Sequence, residues 1–163
     1  MEIRQRKHDV RMKTIEEEIK QKKFPNIYVK TDVNILYTAG WLQNIYTRFF
    51  KHYGISHQQF NVLRILRGQH PEPVMLNQIT DRMIDKMSNA TRLVDKLKQK
   101  GLVTREQNSI SRRQVDIHIT RNGLKLLSDI DNEMMKNMPP SHFSKITQEE
   151  LKQFNDILDR IRH

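Results

Sequence analysis

Residues 85–106 read DKMSNATRLVDKLKQKGLVTRE, and the fold turns on this stretch. Ala90, Leu93, Val94 and Leu97 stand at i, i+3, i+4 and i+7, one face of an α-helix. The spacing predicts a helix over about Lys86–Lys100, with Asp85 at the N-cap position and Gly101 as the stop. Its outer face carries Ser88, Asn89, Arg92, Lys96 and Gln99, with Thr91 at the margin. Beyond Gly101 the period changes from helix to strand. Val115, Ile117 and Ile119 alternate with Gln114, Asp116 and His118, the pattern of a half-buried strand. Leu102–Glu106 is its expected partner, across a polar turn at Gln107-Asn108-Ser109 with Ser111-Arg112-Arg113 on the return.

The same reading extends outward in both directions. Ile35, Ala39, Leu42, Ile45, Tyr46, Phe49 and Tyr53 predict a helix from about Thr31 to His52, closed by Gly54. Ser56 caps a second helix with Phe60, Leu63, Ile65 and Leu66, which Gly68 and Pro71-Glu72-Pro73 end. A short helix at Leu76–Met83 turns Leu76, Ile79 and Met83 inward. Downstream, Thr120 caps a long helix with Leu124, Leu127, Ile130 and Met134 on one face, stopped by Pro139-Pro140. Thr147-Gln148-Glu149-Glu150 is a capping box ahead of a last helix bearing Leu151, Phe154, Leu158 and Ile161. Residues 1–23 are polar throughout, and Met1 and Met12 both stand as candidate starts. Short helices followed by a two-stranded hairpin, framed by long helices, predict a mainly α fold with a small β-hairpin wing. That is a winged helix-turn-helix whose third short helix is the candidate reader of the major groove.

Composition narrows the function. A chain of 163 residues is expected to be one domain. With 29 Lys+Arg against 19 Asp+Glu its formal charge is +10, which suits an acidic partner, most simply double-stranded DNA. Between Asp85 and Lys100, five basic residues outnumber two acidic ones. There is no cysteine, which closes disulfide, thiolate–zinc and thiol-redox chemistry. His52, His57, His70, His118 and His142 match no short zinc motif, so no metal or cofactor is expected. There is no Gly-rich phosphate loop, nucleophile elbow or His-Glu-x-x-His, so no enzyme is expected. No apolar run approaches a membrane span, and the N-terminus lacks the apolar centre of a signal peptide, so a cytoplasmic protein is expected. Two readings of the polar helix face stand: a solvated surface, or a DNA-contacting one. An alternative from another class is a winged-helix module for protein–protein contact without operator binding.

Several motifs in order carry a more specific likeness. Thr91-Arg92-Leu93-Val94-Asp95-Lys96-Leu97, then Lys100-Gly101-Leu102-Val103-Thr104-Arg105, resemble the multiple-antibiotic-resistance-regulator (MarR) family of bacterial transcription factors. So do Arg112-Arg113, Ile119-Thr120-x-x-Gly123 and the upstream Ile55-Ser56-x-x-Gln59-Phe60-x-Val62-Leu63. The resemblance implies a ligand-responsive regulator, most simply a repressor, that binds a pseudo-palindromic operator as a homodimer. On the outer face of the reader helix, Ser88, Asn89, Thr91, Arg92 and Lys96 are the candidate DNA contacts, being side-chain types that reach phosphates and base edges. Arg113 matches the wing Arg that enters the minor groove, with Arg112 on phosphate, although Ser111 stands where the family commonly has an Asp.

The resemblance also implies dimerisation through the N- and C-terminal helices. The division is then 1–53 as N-terminal arm and dimerisation helix, 54–120 as DNA-binding lobe, and 121–163 as C-terminal dimerisation helices. The stripe Leu151, Phe154, Leu158, Ile161 and the residues Ile35, Leu42 and Ile45 supply material for a dimer or for packing within one chain. Tyr37, Trp41, Tyr46 and Arg48 suit a small aromatic or anionic effector, or serve as interface packing.

Overall fold

The computed structural model describes residues 12–108, 114–137 and 140–163. The chain divides into two compact units, Met1–Arg48 and Phe49–His163. In the first, Thr14 and Glu17 form a capping box around the single-turn helix α1 (Ile15–Glu18). Asn26 Oδ1 accepts from the Val29 amide at 3.0 Å, which starts α2 (Ile27–Lys51) four residues before the expected Thr31. Glu16 pairs with Lys30 at 2.7 Å, and Tyr37 donates its hydroxyl to Glu18 at 2.9 Å. Ile15 is buried, yet Ile27, Tyr28, Leu36 and Trp41 remain exposed. Ala39, expected on the inner stripe, is exposed as well.

The second unit holds α3 (His57–Arg67), β1 (Val74–Met75), α4 (Leu76–Arg82), α5 (Ala90–Gln99), β2 (Val103–Gln107), β3 (Val115–Ile119), α6 (Arg121–Lys136) and α7 (Gln148–Ile161). Helix α3 packs against α4, α5, α6 and β3, so its apolar face is the centre of the core. Val62, Leu63 and Leu66 of α3 meet a core that also includes Ile79, Met83, Val94, Leu97, Leu127 and Ile130, all essentially fully buried. The strands form one antiparallel sheet in the order β1-β3-β2, with Val103 opposite Ile119, Arg105 opposite Ile117 and Val74 opposite Ile117. Val74, Val103, Ile117 and Ile119 turn inward, as the period of two requires.

Two glycines set the approach of these elements. Gly101 has φ +67°, the left-handed region that ends a helix at low steric cost. The Leu102 amide then bonds to Leu97 O at 3.0 Å and the Gly101 amide to Lys98 O at 2.9 Å, a double closure of the last turn of α5. Gly123, in the first turn of α6, lies against the backbone of Leu102. A Cβ there would come within 2.4 Å of Leu102 O and 2.7 Å of Ile119 Cγ1. No residue of α7 is buried, and Phe154, Ile157 and Ile161 are exposed. No helix among the described residues is long and apolar enough to cross a membrane.

The crowding at Gly123 is with a backbone carbonyl that already accepts the Thr120 amide at 3.1 Å, so it has little room to move. Gly123→Ala is expected to lose about 1–3 kcal/mol, the usual cost of overpacking. Thermal melts check this; an unchanged Tm would mean that α6 shifts freely.

Candidate nucleic-acid interface

Helices α4 and α5 are joined by residues 83–89, and this connection differs from the one the sequence suggests. The helix expected from Lys86 begins instead at Ala90, with Asn89 as its N-cap. Asn89 Oδ1 accepts the Arg92 amide at 3.0 Å. Asp85, expected to cap the helix, organises the turn before it. Its carboxylate accepts the Met87 amide at 3.0 Å and the Ser88 hydroxyl at 2.8 Å, and its carbonyl accepts the Ser88 amide at 3.2 Å. Long-range packing decides between the two caps. Met83 is buried, and the Ile84 amide donates to Asn61 Oδ1 of α3 at 2.9 Å, which holds the chain extended there. Ser88 and Asn89 therefore lie at the mouth of α5 rather than on its outer face.

The helix itself divides as its period predicts. Ala90, Val94 and Leu97 are buried and Leu93 is half-buried, while Thr91, Arg92, Lys96, Lys98 and Gln99 are exposed. Lys86 donates to the Asp81 carbonyl and Lys100 to the Gly54 carbonyl, so these two cations are turned toward the protein. Among the described residues, Arg92, Lys96 and Lys98 have no ion-pair partner. Asp95 pairs with Arg105 of β2 at 2.8 Å, which clamps the side of α5 to the hairpin. No sequence pattern marks this clamp, because its partners are charged residues on two different elements. Arg112 and Arg113, the expected wing contacts, lie outside the described residues, as does Ser111. In the described part of the hairpin the Asn108 amide donates to Gln114 O at 3.1 Å, and Asn108 Nδ2 donates to both carboxylate oxygens of Asp116.

The candidate effector residues Tyr37, Trp41, Tyr46 and Arg48 are spread along α2. Trp41 is 43% exposed, Tyr46 half-buried and Arg48 exposed. The hydrogen bond to Glu18 raises the pKa of the Tyr37 phenol above its ordinary value. A cavity of about 580 Å³ lies between α3 and α6, and its walls include His57, Phe60, Arg64, Asp131 and Met134. His57 stacks on Phe50, and burial lowers its pKa below the ordinary histidine value. Asp131 receives Arg67 at 2.6 Å and Arg64 at 3.1 Å, joining α3 to α6. Among the described residues no three His, Asp or Glu side chains come together as a metal site.

A helix pair backed by α3, with its second helix exposed and a hairpin beside it, defines a winged helix-turn-helix DNA-binding protein. The MarR family model matches residues 55–115. The HTH-type transcriptional regulator MhqR of Bacillus subtilis is 30% identical over 109 residues, covering 67% of this chain and 73% of that protein. The HTH-type transcriptional regulator MgrA of Staphylococcus aureus is 27% identical over 130 residues, 78% of this chain and 85% of that one. The crystal structure of a putative MarR-like transcription regulator from Bacillus cereus superposes with TM-score 0.73 at 22% identity, over 83% of this chain and 95% of the other. A MarR transcription factor from Planctomyces limnophilus is 29% identical with TM-score 0.63, over 84% and 98%. The chain belongs to the MarR family of transcription regulators.

The cap assignment is open to measurement. Asn89→Ala is expected to lose about 1 kcal/mol of stability, while Asn89→Asp, which caps as well, should keep the wild-type melting temperature. Equal stability of the alanine variant would remove Asn89 from the capping role.

Proposed function

We propose that the protein is a homodimeric repressor that inserts α5 of each protomer into the major groove of a pseudo-palindromic operator. The observation that carries this reading is the solvent face of α5, where Arg92 and Lys96 stand about one turn apart, with Lys98 on the flank toward β2: three exposed cations without an ion-pair partner among the described residues, on a helix fixed at its start, side and end. Arg92 supplies a guanidinium suited to bidentate contact with guanine, Thr91 a hydroxyl and Lys96 a charge for phosphate. Arg112 and Arg113 supply the wing contacts, Arg113 in the minor groove. A single helix reads few base pairs, so two must act together, about 34–36 Å apart on the duplex. The apolar residues left exposed on α2 and α7 support a second copy as the partner that covers them. Repression follows where the operator overlaps a promoter, since bound protein excludes polymerase. A small aromatic or anionic effector at Tyr37, Trp41, Tyr46 and Arg48 is the proposed input.

Sedimentation at micromolar concentration should give about twice the 19.6 kDa chain mass. Phe154→Glu combined with Leu158→Glu should shift it to monomer and weaken DNA binding. A wild-type monomer with full operator affinity would defeat the dimer.

For the interface, affinity is read by fluorescence anisotropy on a duplex selected from randomised DNA. Arg92→Ala should lose about 1–3 kcal/mol and relax preference at one position per half-site. Asn89→Asp should keep its stability yet bind DNA more weakly, because it sets a negative charge among phosphates. Unchanged affinity in both variants would return the α5 face to a solvated surface and favour a protein-binding module.

A further inference from the structure

Met87 is 93% exposed, the most exposed large apolar side chain among the described residues. Single exposed methionines are common, so exposure alone decides nothing. What sets this one apart is the precision with which the chain around it is held. Its own amide is bonded to Asp85 Oδ1, and the next residue, Ser88, is tied to Asp85 through both hydroxyl and amide. Three residues earlier, the Ile84 amide is anchored to Asn61 of α3. Ile84 is also exposed but lines the cavity between α3 and α6, whereas Met87 does not. Met87 is thus a long apolar side chain on a braced turn, two residues before the N-cap of α5.

That end of a recognition helix is the one that meets base edges. The major-groove edges of guanine, adenine and cytosine present only donors and acceptors, whereas thymine adds an apolar C5-methyl group. An apolar tip desolvates polar edges without replacing their hydrogen bonds, which disfavours the other bases. Against a thymine methyl it buries apolar surface on both sides. Methionine suits the contact, because its unbranched thioether adapts to a small irregular target. The DNA-binding reading above underlies this step. We propose that Met87 is a specificity-determining residue, packing its thioether against the C5-methyl of one thymine in each operator half-site.

The test replaces thymines by deoxyuridine, which removes that methyl and leaves pairing intact. The probe is the tightest duplex that the full-length wild-type chain selects from randomised DNA, with each thymine substituted in turn. Burial of one methyl is worth about fourfold in affinity, and of two symmetric methyls about fifteenfold. Wild type should show this loss at one thymine per half-site. Met87→Ala should bind the unmodified duplex more weakly by a similar factor and be indifferent to uracil at that position alone. Its salt slope should match wild type, since no phosphate contact is lost. Met87→Leu should restore sensitivity to the methyl. Because the side chain is exposed, the melting temperature of both variants should equal that of wild type. The proposal is overturned if no thymine is methyl-sensitive in wild type, or if Met87→Ala keeps the full wild-type sensitivity at every thymine. Either result leaves DNA binding itself standing. Failure to select any duplex would overturn the DNA-binding reading, and this one with it.

Discussion

The carbonyl of Leu102 sits where four elements meet: the end of α5, the start of β2, the end of β3 and the first turn of α6. It accepts the Thr120 amide and lies close against Gly123, while the Thr120 hydroxyl donates to the neighbouring Gly101 carbonyl at 2.8 Å. Thr120 Oγ1 in turn accepts the Gly123 amide at 3.1 Å, so one side chain both caps α6 and ties it to the exit of α5. The position of α6 follows from this junction, and Leu127 and Ile130 then reach the core. Asp131, one residue on, draws Arg64 and Arg67 of α3 toward it. The exit of α5 and the start of α6 are therefore held together by a backbone contact that only a glycine permits.

Charge is distributed unevenly over this frame. Arg64, Arg67 and Arg105 face carboxylates, and Lys86 and Lys100 face backbone carbonyls. Partly exposed pairs of this kind contribute little stability each. Their effect is geometric: they hold α3 to α6 and α5 to β2, and they draw basic side chains away from the outer face. The net charge of +10 is thus a weaker guide than Arg92, Lys96 and Lys98 of α5, which have no ion-pair partner among the described residues.

Local signals were legible wherever one element supplied both halves of the pattern. Ser56, Thr120 and Thr147 cap the helices that their positions suggest, and Val115–Ile119 is the strand that its alternation predicts. Gly101 stops α5 as expected. The start of α5 was not legible, because Asp85 and Asn89 are equally good caps by type. The choice between them rests on Asn61, 23 residues away from Ile84, and on burial of Met83. Strand β1 is two residues long, too short to show a period, and exists because β3 offers it an edge. The Asp95–Arg105 clamp and the cavity beside His57 join separate elements, and no spacing along the chain encodes either.

Because Asp85 and Asn61 hold residues 84–88 in place before any DNA arrives, little backbone freedom is left to lose at that tip when the groove closes on it. Encounter then needs no slow folding step at the turn, and its rate is governed by charge steering and ionic strength. Sequences that match the protein well or badly should be reached at similar speeds and told apart by how long each is held. For the proposed contact at the turn, discrimination is thus a matter of residence time.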